Sequence, residues 1–294
     1  MFETTSRSTH VFESFDRTKI EYRMWGQPTE RTTVVCCSGI ACDDVYWTFL
    51  APELGHDRLV ITWDYPFHGS SGPPGDPSEI RVESLARHAG CVMEKAGVER
   101  AAIIGHSMGV QVAFEVLRSY RDRVAALIPI AGPFANTVGS LYGTNMGVGL
   151  LKLLEKLAEI NPSVADVVWR LSTTPAVADP VGRFAGLIGH APVDLMARYL
   201  THLGHFDPGS LFAMFRAGHE HSAEDLLGDI DVPVLILHGT ADVMSPIWQA
   251  QTMAERVPGA ELVAVQGGAH TLPIEDPGFI NDQIRRFLVS RVDA

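Results

Sequence analysis

Three residues far apart in this sequence could together make a nucleophile. Ser107 stands between two glycines in "GHSMG", residues 105–109. Asp242 closes "HGTAD", and His270 closes "GGAH". A serine hydroxyl attacks poorly near neutral pH. It needs a base within hydrogen-bond reach, and the base needs an acid to orient it. His270 could take the Ser107 proton and return it to a leaving group. Asp242 could fix the imidazole tautomer and favour the imidazolium. The oxyanion formed by such an attack needs two backbone N–H donors. Met108 offers one, at the positive end of the helix expected after the serine. Ile40, directly after Ser38-Gly39, is the best position for the other.

The local patterns say how these residues are held. "AAIIG" before Ser107 reads as a buried strand. Val110, Ala113, Phe114 and Leu117 after it recur at helical spacing. A strand turning sharply into a helix lifts the residue at the turn above the sheet, and its neighbours must be small. The G-x-S-x-G pattern in that context is a nucleophile elbow. "TTVVCCSG", "RLVITWD", "VAALIPIAG", "VPVLILHG" and "AELVAVQGG" are further apolar runs. Continuous apolar strands are expected to be buried on both faces, which predicts a parallel sheet. "HVFESFD" and "KIEYRMW" read as a hairpin around "RT".

Helical patterns fall between the strands. Val82, Leu85, Ala86, Ala89, Val92 and Ala96 form one, stopped by Gly97. The last runs through Ile280, Ile284, Phe287 and Leu288, with Asp276 as cap and Pro277 at its first position. The predicted class is α/β, a mostly parallel doubly wound sheet with a helical cap inserted between two strands. The expected division is a core of residues 1–132 and 226–294, with the cap at 133–225. In that insertion "GVGLLKLLEKLAEIN", "SVADVVWRLS", "PVDLMARYLTHLG" and "SLFAMFRAG" read as helices. Pro162, Pro175, Pro180, Pro192 and Pro208 read as punctuation between them.

With these motifs the chain resembles the α/β-hydrolase fold superfamily, in its branch of serine esterases and lipases with a helical lid. "GHSMG", "HGTAD" and "GGAHTLPIEDP" match the elbow, acid loop and histidine loop, and the order Ser107, Asp242, His270 is that of the family. "WDYPFHGSSG" resembles its D-x-R-G-x-G-x-S turn, but Pro66 and Phe67 stand where Arg and Gly are usual. The usual oxyanion His-Gly is here Ser38-Gly39. Subclasses that act on halides and epoxides carry aspartate at the elbow, so Ser107 argues against both.

The resemblance implies a serine hydrolase of the carboxylesterase kind, cleaving an uncharged ester of short to medium acyl length. The same three residues could serve a cofactor-free perhydrolase of the haloperoxidase kind, a lactonase or a C–C bond hydrolase. A small-molecule receptor on the same fold belongs to another class. It has no need of a strained elbow with base and acid attached. Met146, Leu150 and Leu154 of the insertion are expected to contribute apolar pocket wall, while most of its leucines serve as core.

Other residues have plainer expected roles. His106 packs or hydrogen-bonds beside the elbow, and His68 shapes its turn. Asp43 and Asp44 cap the helix carrying Trp47, Phe49 and Leu50, or line the pocket and disfavour anions. His219 and His221 lack a third ligand motif. They are expected on the surface or at a cap hinge, so no metal is expected. Nor is a cofactor, since no G-x-G-x-x-G follows a strand and no P-loop occurs.

Composition bounds the partners. The chain has 294 residues and a net charge of −12. Nucleic acid is not an expected partner, because phosphate binding needs a basic face. No run of about 18 apolar residues predicts a membrane span, and the first residues lack the apolar core of a signal peptide. Cys36, Cys37, Cys42 and Cys91 form no CxxC pair. They read as buried free thiols in a reducing compartment, so a cytoplasmic location is expected. The sequence leaves the oligomeric state open.

Overall fold

The computed structural model describes residues 5–136, Lys156 and residues 160–294. The chain opens with β1 (Arg7–Glu13) and β2 (Lys19–Trp25), an antiparallel hairpin in which His10 faces Tyr22. The connection is longer than the expected "RT". Asp16 accepts from the Thr18 N–H at 2.9 Å and the Thr18 hydroxyl at 2.6 Å, and Arg17 takes a left-handed φ of 67°. That side-chain turn ends the strand at Glu13.

Next come β3 (Thr33–Cys37), α1 (Leu50–Leu54), β4 (Val60–Trp63), α2 (Val82–Lys95), β5 (Ala101–His106), α3 (Met108–Ser119) and β6 (Val124–Ile130). Among the described residues four helices follow: α4 (Pro162–Ser172), α5 (Pro175–Phe184), α6 (Val193–Leu203) and α7 (Pro208–Glu220). The chain then returns with β7 (Leu235–Gly239), α8 (Ile247–Arg256), β8 (Glu261–Val265), α9 (Leu272–Glu275) and α10 (Pro277–Arg291). Asp276 caps α10 by accepting from the Phe279 N–H, with Pro277 in its first turn as expected. Gly97, at φ 68°, lies just past α2.

Among the described residues eight strands form one sheet, in the order β1-β2-β4-β3-β5-β6-β7-β8. From β4 to β8 every neighbouring pair is parallel. Alternate residues of each strand feed opposite faces, as a pleated strand requires. Val35, Ile103, Leu127 and Ile236 pack with α2, α3 and α8. Val34, Ile104, Ile128 and Leu237 pack with α1 and α10.

Two expectations change here. The run through β8 is not buried on both faces: Glu261 and Ala264 are exposed and the rest is half-buried. Among the described residues β8 is the last strand of the sheet and pairs with β7 alone. Of the five prolines, Pro180 does not separate helices. Pro175 begins α5, where no N–H is needed, and Pro180 lies inside it. The helices at 162–172, 193–203 and 208–220 fall where expected. Met146, Leu150 and Leu154 lie outside the described residues, as do the leucines beside them.

Helix α6 and the segments flanking it meet the edge of the sheet where its parallel strands end. Tyr199 packs edge-on against Tyr46 at 5.6 Å, and Phe206 against His68 at 4.8 Å. The Gly189 N–H donates to the Thr271 hydroxyl at 3.2 Å. All four cysteines are free. Cys91 is half-buried rather than buried, on a helix with one face toward solvent. Among the described residues no helix is long and apolar enough to cross a membrane.

Candidate active site

Parallel strands deliver their following loops to one edge, and that edge collects the chemistry. Ser107 follows β5, Asp242 follows β7 and His270 follows β8. Ser107 has φ 55° and ψ −127°, a conformation L-residues rarely adopt. It is held there on several sides. Its N–H donates to the Ile130 carbonyl at 3.1 Å. A Cβ on Gly105 would strike the Gly109 carbonyl, and one on Gly109 would strike the Cys37 carbonyl of β3. The two glycines flanking the serine are therefore where backbone meets backbone. Gly132, which carries no motif, does the same against the Ser107 carbonyl.

These contacts set a stability prediction. Gly109→Ala should cost about 3 kcal/mol, because fixed backbone must move. Gly97→Ala meets nothing within 4 Å. It should cost only the 1–2 kcal/mol or so of a left-handed alanine. Urea unfolding of both variants measures the difference, and equal losses would mean that the elbow is not tightly packed.

The three distant residues are joined by hydrogen bonds. His270 Nε2 lies 2.9 Å from Ser107 Oγ, and His270 Nδ1 lies 2.9 Å from Asp242 Oδ2. A carboxylate only accepts, so Nδ1 carries the proton and Nε2 is left to accept from the serine hydroxyl. The other carboxylate oxygen, Oδ1, accepts from the Met244 and Ser245 N–H groups, each at 2.9 Å. Burial alone would raise the Asp242 carboxyl. The positive charge available on His270, its hydrogen bond, His238 and the Ser245 N–H together hold it below the usual aspartate value. The arrangement can therefore accept a serine proton and stabilise the resulting imidazolium.

Neighbouring groups steady the histidine loop. His106 Nε2 donates to the His270 carbonyl at 2.9 Å, and its ring stacks on Tyr46 at 4.5 Å. Burial, aided by His270, lowers His106 to about 3, so it stays neutral. Glu275 accepts from the Ala269 N–H at 3.1 Å and from the Thr271 hydroxyl at 2.5 Å, gripping both neighbours of His270. Nothing in the local pattern around Glu275 marks it for this. The signal exists only once the loop has closed on α9.

The loop after β3 lies against the serine. A Cβ on Gly39 would sit 2.8 Å from Ser107 Cβ and 3.3 Å from its Oγ. In this loop the Ala41 N–H donates to His68 Nε2 at 2.8 Å, and the Cys42 N–H to the Gly39 carbonyl at 3.3 Å. Among the described residues the Ile40 N–H carries no hydrogen bond. Met108 opens α3, so its N–H has no acceptor within the helix. Both expected donors thus lie next to Ser107 with their hydrogens uncommitted.

Asp43 accepts from the Val45 N–H at 2.9 Å and caps the short turn at Asp44–Trp47. Asp44 does not cap. It pairs with Arg7 at 3.2 Å and approaches Arg23 at 3.7 Å. His221 is not on the surface. It is buried at the end of α7, with Nε2 2.9 Å from Glu115 Oε1 on α3. Among the described residues no group of three or more His, Cys, Asp or Glu side chains could hold a metal ion.

Known proteins share this arrangement of chain. A sequence model described as the alpha/beta hydrolase fold matches residues 32–167, and one described as TAP-like protein matches residues 214–291. A Caulobacter segnis protein named "Putative carbamate hydrolase RutD" is 23% identical over 91% of this chain and 95% of its own. A bromoperoxidase from Bacillus anthracis superposes with a TM-score of 0.78 at 17% identity, over 96% of this chain and 100% of that one. An esterase from Exiguobacterium antarcticum gives 0.78 at 19% identity, over 95% and 99%. The first sequence match ends within α4, the second begins within α7, and the strands they cover lie in one sheet. This chain belongs to the α/β-hydrolase fold superfamily.

Proposed function

We propose that this protein is a serine hydrolase of uncharged carboxylic esters with short to medium acyl chains. The observation that carries the reading is the unbroken path from Ser107 Oγ through His270 to Asp242, with 2.9 Å at each link. Ser107 Oγ adds to the ester carbonyl as His270 Nε2 takes its proton. The Ile40 and Met108 N–H groups receive the oxyanion. The imidazolium protonates the departing alkoxide, leaving an acyl-Ser107. A water deprotonated by His270 then attacks the acyl carbon, and Ser107 leaves with the proton. The histidine returns to its starting state, so no cofactor is needed.

Residues 133–225 act in this reading as a cap over a core of 1–132 and 226–294. The contacts of Tyr199, Phe206 and Gly189 with the edge that carries Ser107 support it. Met146, Leu150 and Leu154 of the cap are proposed to line the acyl pocket. The net charge of −12 and the buried Asp242 carboxylate favour uncharged substrates over anions. Four free thiols fit a reducing compartment such as the cytoplasm.

A series of p-nitrophenyl esters tests the reading. Each buried methylene is worth about 0.8 kcal/mol, so kcat/KM should rise about fourfold per added carbon until the pocket is full, then fall. A profile flat from acetate onward would remove the apolar pocket. A lactone, an aryl carbamate and a peroxide assay belong beside the series. Turnover of any of these far above every ester would change the substrate class and leave Ser107, His270 and Asp242 in their roles.

A further inference from the structure

His68 is buried in the turn after β4, and both its ring nitrogens are engaged. Nδ1 lies 2.9 Å from the Pro66 carbonyl, within its own turn. Nε2 lies 2.8 Å from the Ala41 nitrogen, across 27 residues, on the loop after β3. A carbonyl only accepts and a backbone N–H only donates. The ring is therefore the neutral tautomer with its proton on Nδ1. A histidine that only shaped its turn would need the first bond alone. The second reaches into another loop, one residue from Ile40.

That loop has a conformation to hold. Ala41 sits at φ 58°, left-handed for a residue that is not glycine. Strained backbone persists only where its surroundings over-determine it. On one side Gly39 is pressed against Ser107, and on the other the Ala41 N–H is tied to His68. The peptide carrying the Ile40 N–H lies between these two fixed points.

We propose that His68 is a positioning residue: its unprotonated Nε2 anchors Ala41 and thereby fixes the Ile40 N–H toward the oxyanion formed on Ser107. This rests on the hydrolase reading above. It also connects the cap to the chemistry, because the Phe206 ring beyond α6 packs edge-on against the imidazole at 4.8 Å. The charged and titratable groups around His68 are Asp64 and Tyr65 of its own turn, with His202 of α6 standing 5.1 Å behind Phe206. Burial, with some help from His202, lowers the ring to about 4, against the opposing pull of the Pro66 carbonyl and Asp64. Nε2 therefore remains an acceptor through the neutral range. Protonation would set an N–H against the Ala41 N–H and release the loop.

Two isosteric variants separate anchoring from space-filling. His68→Gln places an amide oxygen near the Nε2 position and can still accept from Ala41. His68→Asn places its amide nearer Nδ1, keeps the Pro66 bond and leaves Ala41 free. With a p-nitrophenyl ester, His68→Asn should lower kcat by roughly 10²-fold with KM within about threefold, while His68→Gln stays within about tenfold of the parent. A boronic acid that forms a tetrahedral adduct on Ser107 should bind His68→Asn weaker by a similar factor, with product inhibition unchanged. Equal kcat in the two variants, or KM and product binding worsening alongside kcat, overturns the proposal. Unfolding midpoints check that both variants are folded. One arm does not depend on turnover. In ¹⁵N-histidine spectra of the full chain, His68 should show the Nδ1–H tautomer, in the parent and in Ser107→Ala alike. An Nε2–H tautomer overturns the anchoring role whatever the kinetics. Ester turnover that survives Ser107→Ala overturns the hydrolase reading instead, and the spectrum still decides whether Nε2 is the acceptor.

Discussion

Ser107→Ala lowers ester turnover about 10⁵-fold while the chain stays folded; this is the expected result if Ser107 Oγ is the nucleophile. The substitution removes one oxygen. It keeps the Cβ, so the backbone at φ 55° is as strained with alanine as with serine. The contacts that impose that conformation come from Gly105, Gly109, Gly132 and Ile130, and none involves the hydroxyl. Stability should therefore change by no more than about 1 kcal/mol, the worth of the lost bond to His270. The pairing of a collapsed rate with an unchanged unfolding midpoint separates chemistry from folding. Stopped-flow turnover and urea unfolding measure the two. A fluorophosphonate supplies a third check, adding its mass to Ser107 in the parent and nothing at that site in the variant. A rate within tenfold of the parent would sink the nucleophile assignment.

The elements around that serine were legible because each is announced locally. "AAIIG" is apolar at every position, and β5 is buried at every position. The helical period of Val110, Ala113, Phe114 and Leu117 begins at once after it, and the elbow lies at the change of period. Asp242 and His270 could be chosen because each follows an apolar run at a glycine-bearing loop, in the order the fold requires. What stayed hidden depends on where a strand or turn sits in the finished sheet. The run through β8 looks as apolar as its neighbours, and only the strand order reveals it as an edge. Asp16 ends β1 by bonding to Thr18, a choice that the alternating pattern does not express.

The supporting shell was hidden for a related reason: its partners are far apart in the chain. His221 meets Glu115 across 106 residues, and its neighbours in sequence are those of a surface segment. Glu275 and Gly132 act on residues that their own segments do not identify. The turn after β4 is an instructive intermediate. Phe67 departs from the glycine usual in the resemblance, yet it adopts φ 68°, the left-handed backbone a glycine would take. The turn kept its shape through a residue that pays for it in strain, and His68 was delivered to Ala41 all the same. The residues around His68 announce a turn, but nothing in them expresses the loop across from it.

Asp242→Asn is the second substitution expected to have a very large effect, a loss of about 10⁴-fold in kcat. An asparagine can usually rotate its amide to suit a neighbour. Here it cannot. The Met244 and Ser245 N–H groups both point at Oδ1, at 2.9 Å, so the amide oxygen must stay there. The NH₂ group is then forced to the Oδ2 position, facing His270 Nδ1. A donor in that place turns Nδ1 into the acceptor and moves the ring proton to Nε2. An Nε2–H cannot take the proton of Ser107. The geometry of the acid loop thus converts a one-atom change into the wrong tautomer. The charge is lost as well. The parent carboxyl is held below the usual aspartate value, so its contribution to stability is complete above the unfolded pKa of about 3.9 and is lost as pH falls through the folded one. The variant should lack that part of the acid dependence. Asp225 and Asp231 precede the same strand at its other end, where they pair with Arg118 and Arg121 on the surface. Their asparagine variants should keep kcat within about twofold, as surface ion pairs contribute little. Steady-state kinetics on the three variants decides the matter. A near-normal Asp242→Asn beside a collapsed Asp225→Asn or Asp231→Asn would place the acid at the wrong end of β7. That in turn would leave His270 without the partner that fixes its proton.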